Sequence, residues 1–236
     1  MKDRALRRFY KMADAAAAGG GFEIRLDGRP IRTPAKAALV VPAEALAAAI
    51  AAEWAAQGDP IDPASMPLTQ LANAAIDRVM PDRDAVIAAT GGYAEADLLC
   101  HRAERPAALA ERQRTVWQPL LDWAAATYNA PLTVTIGVLP VAQPADGVAA
   151  LHAAVAAHDD MALAALAHVT GLLGSVVLGL ALSAGRIAVA EAFDAAHIDD
   201  VHQAERWGED AEAAARLRLI RAEIDAAARF LDLLRR

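Results

Sequence analysis

Between Met161 and Ala184 the chain runs for more than 20 residues without a formal charge, so any fold it adopts must bury that stretch, in lipid or in protein. The length satisfies the rule for a membrane span. Its apolarity, however, is diluted by alanine, by Gly171, Gly174 and Gly179, and by His168, Thr170 and Ser175. Its ten Leu and Val residues gain only about 3–6 kcal/mol on the insertion scale, much of which the polar residues return. Gly171, Ser175, Gly179 and Ser183 recur every fourth residue, a stripe of small side chains that lets another helix approach closely in lipid or in water. The neighbouring segments are amphipathic and the mean hydropathy of the chain is only +0.23. The expected structure is therefore a central helix, or two short ones, inside a helical protein with no stable membrane insertion. The alternative is a single-span anchor, which fractionation into membranes would support.

The rest of the composition narrows the classes further. An apolar share of 56% with 22% charged residues excludes a disordered chain, and an aromatic share of only 5% means that alanine supplies much of the apolar count. Alanine favours helix. The net charge of −7 argues against nucleic acid as a partner, because neutralising phosphates needs clustered excess Lys and Arg. The single cysteine, Cys100, rules out an internal disulfide and suits a reducing compartment. The start is basic (Lys2, Arg4, Arg7, Arg8, Lys11) but is followed by no apolar stretch, so no secretory signal is expected.

Along the chain, Phe22, Ile24 and Leu26 alternate with Glu23 and Arg25, and Asp27-Gly28 is a turn dipeptide, which predicts antiparallel strands. Phe9 and Tyr10 are expected to pair with that strand across a Gly19–Gly21 loop, while Pro30, Pro34 and Pro42 confine later strands such as 39–41 to edges. From Pro42 the period becomes helical: Leu46, Ile50 and Trp54 form one stripe. A second helix from about Ser65 is expected to end at Pro81, and a third covers 86–93. The predicted fold is α+β: a small mixed domain with antiparallel strands over residues 1–104, then a helical domain over 105–236. The helices expected in the latter are 109–128, kinked or broken at Pro119, and 148–157, 161–184, 189–204 and 210–234. Residues 133–138 form an isolated β-branched run.

No catalytic constellation is evident. Cys100 and His101 are adjacent, so on a strand they point to opposite faces and cannot form a nucleophile–base pair. His152 and His158, and His197 and His202, miss the four-residue spacing that puts two metal ligands on one helical face. No metal site, nucleotide-binding loop or cofactor is expected. Asp159-Asp160 and Asp199-Asp200 are explained most simply as solvated helix ends. What stands out is an acidic segment, Glu191, Asp194, Asp199, Asp200, Glu205, Glu209, Asp210 and Glu212, relieved mainly by Arg206. Asp199, Gln203 and Arg206 fall on one helical stripe, about 200° round from Val201 in the case of Asp199, so this face should look outward. Two readings stay open: an ordinary solvated face, or a surface that docks a basic patch on a partner protein.

The order and spacing of several motifs extend over nearly the whole chain. They are Arg8-Phe9-Tyr10-Lys11, Leu26-Asp27-Gly28-Arg29-Pro30, Thr33-Pro34, Glu53-Trp54, Met66-Pro67-Leu68-Thr69, Tyr93 and Asp97-Leu98-Leu99-Cys100. Gln113, Trp117-Gln118-Pro119-Leu120-Leu121 and the closing Gln203 to Trp207-Gly208 complete the series. Together they resemble the family of assembly chaperones for the mitochondrial-type ATP synthase. The resemblance implies a non-enzymatic protein that holds the unassembled alpha subunit of the catalytic head until a beta subunit replaces it, without nucleotide or metal. It also implies a mixed N-terminal and a helical C-terminal domain. A monomer in the bacterial cytoplasm is expected. In the family an acidic residue eight positions before the Trp-Gly pair is linked to function, which here falls on Asp199; Asp200, Gln203 and Arg206, beside it on the acidic segment, complete the expected partner-binding set. Relatives carry Glu nearby, so the shorter Asp arm changes the reach of that contact. Phe193 stands where relatives often have Trp, and Trp54 matches a family position although its stripe favours a core role. The rival from another class is an enzyme with a small-molecule pocket between the two domains.

Overall fold

The computed structural model describes residues 7–137, 139, 141–208 and 210–236. Lys2 and Arg4 of the basic start, Val138 of the β-branched run and Glu209 of the acidic segment lie outside the described residues.

Strand β2 (Gly21–Leu26) is the centre of the first sheet. It pairs antiparallel with β1 (Ala13–Ala18), β3 (Arg29–Pro30) and β4 (Val40–Val41), in register Ala13 to Leu26, Arg25 to Pro30 and Phe22 to Val41. The alternation of β2 is realised as expected: Ile24 and Leu26 are buried, while Glu23 and Arg25 bind each other at 2.7 Å. Its partner differs from the expectation. Phe9 and Tyr10 lie outside the sheet, and the strand is the alanine run 13–18. Tyr10 instead packs against Trp54, ring centroids 5.9 Å apart, and its hydroxyl donates to the Trp54 carbonyl at 2.7 Å. Gly21 has to be glycine, because a Cβ would sit 2.3 Å from the Val41 carbonyl oxygen.

Helix α1 (Glu44–Ala55) lays Leu46, Ala47, Ile50 and Ala51 on the sheet, packing on β1 and β2. Trp54, half-buried, joins a small cluster of Tyr10, Leu26, Ile61 and Met66. Glu53 reaches from α1 to the start of α2 (Pro67–Ala74), where its carboxylate accepts from the Leu68 and Thr69 amides at 2.8 Å and the Thr69 hydroxyl at 2.7 Å. Three otherwise orphaned donors are satisfied by one side chain. Pro81 does not stop this helical run: α2 continues through a π turn at Ala75–Val79 and a 3-10 turn at Met80–Asp82 into α3 (Arg83–Gly91). Pro81 sits at the start of the 3-10 turn, where a missing amide N–H costs little.

The chain forms two compact units. One comprises the chain up to Arg83 with Asp159–Ala165 and Arg229–Arg236; the other comprises Asp84–His158 and Leu166–Ala228. Arg105 and Pro106 fall within the second. There, β5 (His101–Arg102) pairs in parallel with β6 (Thr135–Ile136), so the β-branched run is not isolated. Helix α4 (Ala107–Tyr128) passes through Pro119 unbroken and ends at Asn129, which takes the left-handed conformation (φ 55°) that stops a helix. The remaining helices are α5 (Ala145–Ala156), α6 (Asp160–Leu173), α7 (Val176–Ser183), α8 (Val189–Ala196), α9 (Ile198–Trp207) and α10 (Ala211–Leu234).

The uncharged stretch is thus two short helices. All eight residues of α7 are buried, against α4, α5 and α8, which is why charge is absent there. No helix among the described residues is long and apolar enough to cross a membrane. The break falls at Gly174 (φ +65°) and Ser175, whose hydroxyl accepts from the Leu178 amide at 3.0 Å. Because of that break, the small-residue stripe does not run as one groove. Gly179 alone carries the close approach, since a Cβ there would lie 2.5 Å from Thr170 Oγ1 and 3.2 Å from Leu166 Cδ1 of α6.

Candidate functional site

The chain does not run helical from 189 to 204 in one piece: it turns at His197, so α9 starts afresh at Ile198 with Asp199 and Asp200 in its first turn. Negative charge is favoured there by the helix dipole. Asp199, Asp200, Gln203 and Arg206 are all exposed, and Asp199, Gln203 and Arg206 share one stripe as their spacing predicts. Two of these side chains are tied down. Gln113 Nε2 of α4 donates to Asp199 Oδ1 at 2.7 Å, and His197 Nδ1 lies 2.8 Å from Asp200 Oδ2. Farther along α9, Glu205 pairs with Arg112 at 3.2 Å.

Gln113 is the buried element of this arrangement. Its Oε1 accepts from the Ala103 amide at 2.7 Å, which fixes which way the amide points and leaves the NH2 to Asp199. One turn along α4, the buried Trp117 donates its indole N–H to the Ala195 carbonyl at 2.7 Å, at the end of α8. The Arg102 guanidinium lies over the Trp117 ring, 5.0 Å from its centroid. On the other side the His197 ring meets Phe193 at a 48° tilt, centroids 4.5 Å apart, and Arg221 of α10 covers Phe193 at 5.2 Å. The end of α8 and the start of α9 are therefore held by partners 78 and 86 residues away in the chain. In the sequence Gln113 stands out only as part of a motif, and Trp117 as part of a motif and of an apolar helical side. No local signal links them to Asp199.

Other members of the acidic segment have plainer tasks. Glu191 accepts from the Ala188 amide at 2.7 Å and Asp210 from the Ala213 amide at 2.8 Å, so they cap α8 and α10. Asp159 caps α6 through the Ala162 amide at 2.8 Å, and Asp160 pairs with Arg83.

Cys100 is fully buried, and burial, then the nearby Asp97, pushes its thiol up to about 12. Burial packs the thiol away from water and disfavours the thiolate. Asp97 is also wholly buried, and its carboxylate accepts from Ser175 Oγ at 2.7 Å and from the Leu99 and Val177 amides at 3.0 and 3.1 Å. Every one of those bonds serves the turn into α7 or the 98–100 turn. Among the described residues, no three His, Cys, Asp or Glu side chains gather as metal ligands would.

A profile of the ATP12 chaperone protein family matches residues 7–125. Atp12 from Paracoccus denitrificans, a crystal structure, is 45% identical with a TM-score of 0.93, the match covering 97% of this chain and 98% of that one. A variant of the P. denitrificans protein with lysine in place of an aspartate matches with the same figures, 45% and 0.93. A proposed chaperone from Agrobacterium tumefaciens is 41% identical with a TM-score of 0.92, covering 97% of this chain and 86% of that one.

Proposed function

This chain belongs to the ATP12 family of ATP synthase assembly chaperones, and from that premise we propose that it binds the unassembled alpha subunit of the catalytic head. Bound in this way, the subunit is kept from aggregating until a beta subunit takes its place. An isolated alpha subunit exposes the apolar surface meant for its neighbour, and exposed patches larger than a few hundred Å² are aggregation liabilities. Covering that patch is the whole activity, and no bond is made or broken. The protein works as a monomer in the bacterial cytoplasm and needs neither nucleotide nor metal.

The observation that carries this reading is the outward-facing start of α9, with Asp199 and Asp200 exposed and Asp199 held by the buried Gln113. A solvated helix end has no need of a buried amide to orient its carboxylate. A docking carboxylate gains from one, because ordering it beforehand lowers the cost of binding. The acidic face, with Gln203 and Arg206 on its stripe, sets register and association rate, while apolar contacts supply most of the affinity. The client must still be handed on, so affinity has to be lower than that of the true neighbour.

Co-expression with the alpha subunit tests the reading. The subunit is expected to stay soluble with the chaperone and to aggregate without it; equal aggregation in both cases removes the proposal. Asp199→Lys is expected to slow capture roughly tenfold at low salt, with the deficit narrowing as salt rises. Asp199→Asn keeps an acceptor for Gln113 and isolates the charge. If folded Asp199→Lys protects the client as well as the parent does, the acidic face has no part in docking.

A further inference from the structure

We propose that Trp207 is the apolar anchor of the client-docking face on α9, and that it fits an apolar patch on the client bordered by basic side chains. This deepens the reading above and rests on it. Tryptophan is a large side chain that folding ordinarily draws inward, and in this chain Trp117 is 1% exposed while Trp54 and Trp123 are half-buried. Trp207 is 76% exposed. It is the last residue of α9, after which Gly208 (φ +91°) turns the chain away, so no further turn of that helix covers the ring.

Its position on the helix matters as much as its exposure. Asp200, Gln203 and Trp207 follow one another at three and four residues and so form a stripe, adjoining the stripe of Asp199, Gln203 and Arg206. The indole and the two carboxylates therefore share one side of α9, within about 12 Å along its axis. The Arg206 guanidinium lies over the indole, 5.8 Å from its centroid. With Glu205 paired to Arg112, the two carboxylates of Asp199 and Asp200 still outnumber the one guanidinium of Arg206 on this face. An exposed tryptophan beside carboxylates is what an interface needs from a hot spot: a rigid apolar group with a polar rim that aligns the partner. Charge complementarity selects the occupant, an apolar patch bordered by lysine or arginine.

The test titrates the purified chaperone against aggregation of the isolated alpha subunit at low and high salt. Trp207→Ala is expected to raise the concentration needed for half protection about 30-fold, by the same factor at both salt concentrations. Trp207→Phe is expected to lose less. Asp199→Lys should show the opposite pattern, a loss that shrinks in salt. The melting curve of Trp207→Ala should match the parent, since the ring is mostly in water. Parental protection by Trp207→Ala and Trp207→Phe overturns the anchor and leaves the chaperone reading standing. Failure of the parent protein to protect the subunit removes both. A parent that sediments as a dimer, with Trp207→Ala a monomer that still protects, assigns the indole to a second copy and likewise overturns the proposal.

Discussion

Both units use a carboxylate from a distant part of the chain to hold backbone amides, and they do so in opposite surroundings. In the first unit Asp27 accepts from the Met12 and Lys11 amides at 2.9 and 3.1 Å at the surface, and those bonds hold its carboxyl below the usual range. In the second unit Asp97 makes equally good bonds, but burial pushes its carboxyl up in spite of the Ser175 hydroxyl and the Leu99 and Val177 amides. Similar bonding gives opposite shifts because removing a charge from water outweighs the hydrogen bonds at Asp97, whereas Asp27 keeps its water. The buried carboxylate specifies where α7 begins, at a cost in stability when ionised; the surface one stabilises a turn with almost no desolvation.

The largest expected effect is at Asp97. Asp97→Ala leaves the Ser175 hydroxyl and two amides without their partner in a dry site, a loss of about 3–5 kcal/mol in urea unfolding. The sign of its pH dependence follows from the raised pKa. The folded state holds the Asp97 proton more tightly than the unfolded chain, so this group's contribution is greatest below about pH 3.9 and falls as pH rises through the folded value. Asp97→Asn should remove that slope while still costing stability; an unchanged slope would show that burial is not what separates the two carboxylates.

A smaller effect is expected at Glu53, which caps α2 from a half-buried position. Glu53→Ala should cost about 1–2 kcal/mol, because water reaches some of the freed donors. A loss as large as that of Asp97→Ala would break the comparison. The smallest effect belongs to Asp27, whose contribution is present above about pH 3.9 and disappears as pH falls through its lowered folded value. Asp27→Asn should flatten stability against pH on the acid side only, measured by urea midpoints across that range.

How much of this was legible depended on how far apart the interacting residues are. Ile24 and Leu26 announce a half-buried strand because period two is local, and Leu46 and Ile50 announce a helix for the same reason. The partner of β2 was hidden: alanine has little strand preference, so 13–18 is a strand only because β2 lies beside it. Aromatic Phe9 and Tyr10 resemble strand residues more closely, yet Tyr10 is drawn to Trp54. Pro119 reads as a breaker, whereas α4 runs through it, with Leu120, Leu121 and Ala124 buried beyond the proline. The exposure of Asp199, Gln203 and Arg206 followed from spacing, whereas the bond from Gln113 did not.

By itself the sequence determined that an uncharged stretch had to be buried, that strands precede helices, and that the surface near residue 200 is acidic, since composition and short periods carry these facts within a few residues. Only the tertiary structure decided that the stretch breaks at Gly174-Ser175 beneath Asp97, and that Asp199 is held by Gln113. Both depend on hydrogen bonds between groups about eighty residues apart, and no local pattern encodes a bond that exists only once the chain has closed around it.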